Sequence, residues 1–129
     1  MSMSATLLGG KRCLVLDDEI LIALDIQQTL ELAGAGHVAC VTTAPEALAL
    51  LRNEPGFDFA VLDVKLSGLD SNSLGIAALL TEKSTPFIFL TGMRVDDVHA
   101  AQFPQAPVIE KPYDTTTLLD AVRRALNMA

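Results

Sequence analysis

Five short apolar runs, separated by longer stretches of helical spacing, constrain this chain more than any other feature. Residues 13–16 read Cys-Leu-Val-Leu and stop at Asp17-Asp18-Glu19. Residues 37–41 form a second run. Phe-Ala-Val-Leu at 59–62 stops at Asp63, and Pro-Phe-Ile-Phe-Leu at 86–90 stops at Thr91-Gly92. Val108-Ile109 is a brief fifth run before Glu110-Lys111-Pro112. Runs this short and this continuously apolar predict strands covered on both faces.

The intervening stretches predict helices. From 21 to 33, Ile22, Ile26, Leu30 and Ala33 recur at helical spacing, and Gly34 and Gly36 stop the pattern. Thr43-Ala-Pro-Glu46 reads as a capping box with proline in the first turn, opening a helix to about 52. Further helices are expected over 73–82 and 115–128, the last with Leu118, Val122 and Leu126 on one face. The β-α alternation predicts an α/β fold: a doubly wound, five-stranded parallel sheet in the flavodoxin-like order 2-1-3-4-5. One domain spanning 1–129, with its core at about 12–126, fits the length.

Composition narrows the function. Half of the 129 residues are apolar and the mean hydropathy is +0.39, which excludes a disordered chain. Nine basic against sixteen acidic residues leave a net charge of −7. That balance argues against nucleic acid and against an anionic membrane as partners. No run is long enough for a membrane span, and no basic residue precedes Lys11 as a signal peptide would require. A cytoplasmic location is expected. Cys13 and Cys40 lie in apolar runs, outside any metal-ligand spacing, and read as buried thiols.

In a doubly wound sheet, ligands sit beyond the carboxyl ends of the strands. Asp17 and Asp18 end the first strand, Asp63 the third and Thr91 the fourth, and Lys111 follows the fifth. In the order 2-1-3-4-5 these residues converge on one crevice. Three close carboxylates repel each other unless a cation is present, and an all-oxygen set of this kind suits Mg²⁺. With Lys111 as a second positive charge and Thr91 as a hydroxyl donor, the crevice fits phosphoryl transfer. A carboxylate can itself take the phosphoryl group, and Asp63, in mid-crevice, is the expected nucleophile.

The set Asp17-Asp18, Asp63, Thr91 and Lys111-Pro112 resembles the receiver domain of two-component response regulators, over about 12–126. The resemblance implies that Asp63 accepts phosphate from a sensor histidine kinase. It implies Mg²⁺ bound by Asp18 directly, by Asp17 through water, by Asp63, and by the backbone carbonyl of Lys65. Thr91 and Lys111 would contact the phosphoryl oxygens, and the Lys111–Pro112 bond would be cis. The runs at 86–93 and 63–68 look like those of the stand-alone FAT GUY receivers, with Leu90 and Arg94 departing from that pattern. Val108 stands where a typical receiver carries a switching aromatic, and Ser67 where proline is common. With no aromatic rotor, the weakly amphipathic segment 91–102 is the expected switch.

Blander readings exist for each residue. Asp17-Asp18 could cap a helix, Lys111 could neutralise a structural acid, and Thr91-Gly92 could be a turn. The whole set on one sheet edge makes those readings insufficient. Lys65, Asp70, Asp96 and Asp97 read as solvated loop charges, His37 and His99 as surface residues, and Tyr113 as a packing residue. An aspartyl-phosphate phosphatase would carry a second aspartate two residues after the nucleophile, where this chain has Lys65. A flavodoxin-like carrier would need a Ser/Thr/Gly phosphate loop where Asp-Asp-Glu stands. The complete acid-Thr-Lys set argues against a degenerate receiver. The expected protein is therefore a signalling module, not an enzyme, acting on an unknown downstream protein or as a phosphate sink. No output domain is expected, since the sequence stops after the last helix.

Overall fold

The computed structural model describes residues 6–53, 56–64, 73–92 and 102–128. Its five strands are β1 (Arg12–Leu16), β2 (His37–Val41), β3 (Phe59–Asp63), β4 (Phe87–Thr91) and β5 (Val108–Glu110). They form one sheet, every pair parallel, in the order β2-β1-β3-β4-β5. The described helices are α1 (Ile20–Leu32), α2 (Ala44–Asn53), α3 (Ser73–Glu82) and α4 (Thr115–Met128).

Strand alternation divides the core into two layers. Cys13, Val15, Phe59, Val61, Ile88, Leu90 and Ile109 pack on one face under α1 and α4. Leu14, Leu16, Ala60, Leu62, Phe87 and Phe89 pack on the other under α2 and α3. β3 and β4 are buried along their whole length, as strands in the middle of a covered parallel sheet must be.

Local chemistry sets the helix ends. The Thr43 hydroxyl donates to Glu46 Oε1 at 2.9 Å and accepts from the Glu46 N–H at 3.3 Å, which realises the expected capping box. Asp114 accepts from the Thr117 N–H at 2.7 Å and caps α4. α1 ends in a Schellman turn: Gly34 and Ala35 donate to Glu31 and Leu30, with Gly34 at φ 102°. α3 ends the same way, with Ser84 and Thr85 donating to Thr81 and Leu80, but Ser84 takes the left-handed position at φ 58°.

α1 differs in part from the expected stripe. Ile26, Leu30 and Ala33 are buried, but the adjacent buried position is Ala23, and Ile22 is only half-buried. Ile20, Leu21, Leu24 and Leu32 are exposed. Nearly every residue early in this helix is apolar, so the sequence period does not say which face turns inward. Among the described helices, none is long and apolar enough to cross a membrane.

Candidate functional site

Parity of the strands aims the site residues. Asp17 follows Cys13 and Val15, and Asp63 follows Phe59 and Val61, at alternate positions on the face that α1 and α4 cover. Lys111 stands two residues beyond Ile109 on that same face. The ladder carries on past the strand ends and fixes the backbone there. Asp17 N–H donates to Val41 O at 3.2 Å, Val64 N–H to Leu90 O at 2.8 Å, and Lys111 N–H to Thr91 O at 2.7 Å.

Asp17, Asp18 and Asp63 each offer a carboxylate oxygen, and these oxygens lie within 4.8 Å of one another. Asp17 is fully buried, Asp63 nearly so, and Asp18 half-buried. Three hard oxygen donors this close, partly withdrawn from water, fit a small divalent cation such as Mg²⁺. Lys111 is the resident counter-charge. Its Nζ is 3.0 Å from Asp17 Oδ2, 3.6 Å from Asp63 Oδ2 and 3.9 Å from Glu19 Oε1. Burial alone would pull the ammonium pKa down, but the Asp17 hydrogen bond and the charges of Asp63, Asp17 and Glu19 raise it overall. Thr91 is buried at the end of β4, paired in register with Glu110.

The structure thus brings together Asp17, Asp18, Asp63 and Lys111, and places Thr91 on the same edge of the sheet. Lys65 lies outside the described residues, as do Ser67, Arg94, His99 and most of the segment 91–102. The Lys111–Pro112 bond is cis. Tyr113 packs half-buried against the α1 side of the core, and burial with the charges of Asp17, Asp25 and Asp63 pushes its hydroxyl up to about 12. His37 is exposed. Cys13 is buried, which pushes its thiol up to about 12, and Cys40 is half-buried. The Cys40 thiol lies 3.2 Å from Gln27 Oε1.

Two contacts at the site carry no decisive local signature in the sequence. Lys111 hydrogen-bonds the first aspartate of the pair and is only in ion-pair reach of Asp63. Glu19 turns its side chain toward Lys111. The run Asp-Asp-Glu hinted at the second, but only the turn geometry at residues 17–20 makes it visible.

A parallel sheet in the order 2-1-3-4-5 with acids at the carboxyl ends of β1 and β3 defines a CheY-like, flavodoxin-like fold. The family model of the response regulator receiver domain matches residues 13–123, and the chain belongs to that family. It is 34% identical over 116 residues to the C4-dicarboxylate transport transcriptional regulatory protein DctD of Rhizobium meliloti (strain 1021). That match covers 86% of this chain and 24% of the relative, so the chain spans about a quarter of that protein's length. A response regulator receiver protein from Sinorhizobium medicae WSM419 superposes with a TM-score of 0.77 at 25% identity, over 93% of this chain and 97% of that one. SdrG from Sphingomonas melonis Fr1 is 32% identical with a TM-score of 0.75, over 90% and 96% of the two chains.

Proposed function

We propose that this receiver accepts a phosphoryl group from a sensor histidine kinase on Asp63, with Mg²⁺ as cofactor, and passes the signal on by protein contact. The observation that carries this reading is the meeting of Asp17, Asp18 and Asp63 within 4.8 Å beside the Lys111 ammonium. Asp17 and Asp18 would hold the cation together with Asp63. The backbone carbonyl of Lys65, outside the described residues, would be a further ligand if the family resemblance holds at that position. Bound there, Mg²⁺ neutralises the acid cluster and the charge on the incoming phosphoryl oxygens.

The chain's own residues do the rest. An Asp63 carboxylate oxygen forms a bond to phosphorus as the donor's P–N bond breaks. The electron pair of that bond goes to the imidazole nitrogen, which takes up a proton from solvent. Lys111 shifts from the carboxylates toward a phosphoryl oxygen, and the Thr91 hydroxyl donates to another. Positioning and charge neutralisation account for most of the barrier lowering that such a transfer needs.

The narrower likeness to FAT GUY receivers is supported by the run Pro-Phe-Ile-Phe-Leu-Thr-Gly at 86–92. A cytoplasmic site of action goes with a histidine kinase as donor. Incubation with Mg²⁺ and a small phosphodonor, followed by intact-protein mass measurement, tests the reading. The wild type gains one phosphoryl group and Asp63→Asn gains none. Labelling of the variant to the same extent overturns it.

A further inference from the structure

Glu19 occupies the N-cap position of α1, with φ −98° and ψ 103°, yet its side chain makes no capping hydrogen bond. The helix starts without one, because the Glu19 carbonyl accepts from the Ala23 N–H at 3.0 Å. Glutamate is not among the favoured N-cap residues. Its own N–H is spent on Asp17 Oδ1 at 2.9 Å, which fixes the turn between β1 and α1. The carboxylate is left to reach across the crevice, and its Oε1 lies 3.9 Å from Lys111 Nζ.

The three acids around Lys111 are not equivalent. The Asp17 side chain is 0% exposed and that of Asp63 4%, whereas that of Glu19 is 64% exposed. Among the described residues, Glu19 is the solvent-facing anion within ion-pair reach of the ammonium. Asp17 takes one N–H of Lys111 at hydrogen-bond distance. The separations to Asp63 and Glu19, 3.6 and 3.9 Å, are both too long for a hydrogen bond. The ammonium is therefore poised between an inner and an outer carboxylate, and a small shift toward one weakens the other.

We propose that Glu19 is a positioning residue that acts through Lys111, holding the ammonium toward the crevice mouth and restraining phosphoryl transfer to Asp63. This rests on the phosphoacceptor reading above and adds a rate control to it. A phosphoryl group arriving at Asp63 must draw Lys111 inward, against the pull of Glu19. Without the Glu19 charge that pull is absent and transfer is faster. Exposed ion pairs are weak, so the effect is modest, about two- to fivefold.

The test follows the initial rate of Mg²⁺-dependent phosphorylation by intact-protein mass, for the wild type and Glu19→Gln. Acetyl phosphate, a dianion, and phosphoramidate, a monoanion, serve as donors at low and high salt. The Asp17 contact is made by the backbone N–H of residue 19, so Glu19→Gln keeps the turn. The variant should be labelled about two- to fivefold faster, by the same factor with both donors. The ratio should fall toward unity at about 1 M salt, where the Debye length is ~3 Å. Equal rates at every salt concentration, or a slower variant, overturn the proposal. A factor that grows with donor charge overturns it too, because it shows repulsion of the donor and not a hold on Lys111. If the wild type takes no label at all, the phosphoacceptor reading itself falls, and this inference with it.

Discussion

Lys111 Nζ donates to Asp17 Oδ2 at 3.0 Å, joining the loop after β5 to the end of β1 across the carboxyl edge of the sheet. Asp17 is fully buried, and a buried carboxylate with no cation beside it is costly. Lys111→Met removes that cation. The variant should lose about 3 kcal/mol of unfolding free energy in metal-free buffer, as breaking a buried pair does. Mg²⁺ should return part of the loss, since the acid cluster itself is intact. Urea titrations with and without Mg²⁺ measure both effects.

Mg²⁺ should raise the stability of the wild type, because a ligand that binds only the native state adds stability by mass action. At a hundredfold excess over Kd the gain is ~2.7 kcal/mol. Asp18 contributes a carboxylate oxygen to the cluster. Asp18→Asn should therefore flatten the rise in Tm with Mg²⁺ concentration. An unchanged Mg²⁺ response in that variant would remove Asp18 from the ligand set.

Asp114 gives a pH-dependent prediction. The hydrogen bonds from Thr117, backbone first and then side chain, hold its carboxyl below the usual carboxylate range. A folded-state pKa lowered in this way adds stability above the unfolded value, and that stability is lost as pH falls through the lowered value. Asp114→Ala should therefore lower Tm at neutral pH. The gap from the wild type should close in acid, once the carboxyl is protonated in both states. A gap of constant size across that range would mean that the cap does not depend on the charge.

Ser84 sits in the left-handed position that ends α3, at φ 58°, where a side chain is disfavoured. Gly34 fills the equivalent position after α1. Ser84→Gly should stabilise the protein by about 0.5–1 kcal/mol, the relief of strain exceeding the added chain entropy of glycine. Thermal unfolding monitored by circular dichroism reads the change, and a lower Tm would contradict it.

Much of the sheet was legible in the sequence, because a buried parallel strand has a local signature: a short apolar run closed by a polar residue. The runs ending at Asp17, Asp63 and Thr91 gave both the strands and the edge where their side chains meet. The capping box at Thr43 and Glu46 was equally local. α1 was only half legible, since Ile20 to Leu24 is apolar on every side and burial was decided by the sheet beneath it. The choice of Lys111 between Asp17 and Asp63 was not legible at all. It depends on how the loop after β5 is aimed, and no periodicity encodes that. The turn at Ser84 is not legible, because serine carries no sign of a left-handed conformation, whereas Gly34 does.

On the proposed function, Asp63 is the residue that would carry the phosphoryl group. Acyl phosphates are reduced by borohydride, so the labelled residue can be marked and found by peptide mapping. After phosphorylation of the wild type in Mg²⁺, the mark should fall on Asp63 alone, and chelation of the metal beforehand should abolish it. A mark on Asp17 or Asp18, or one that survives chelation, would contradict the account.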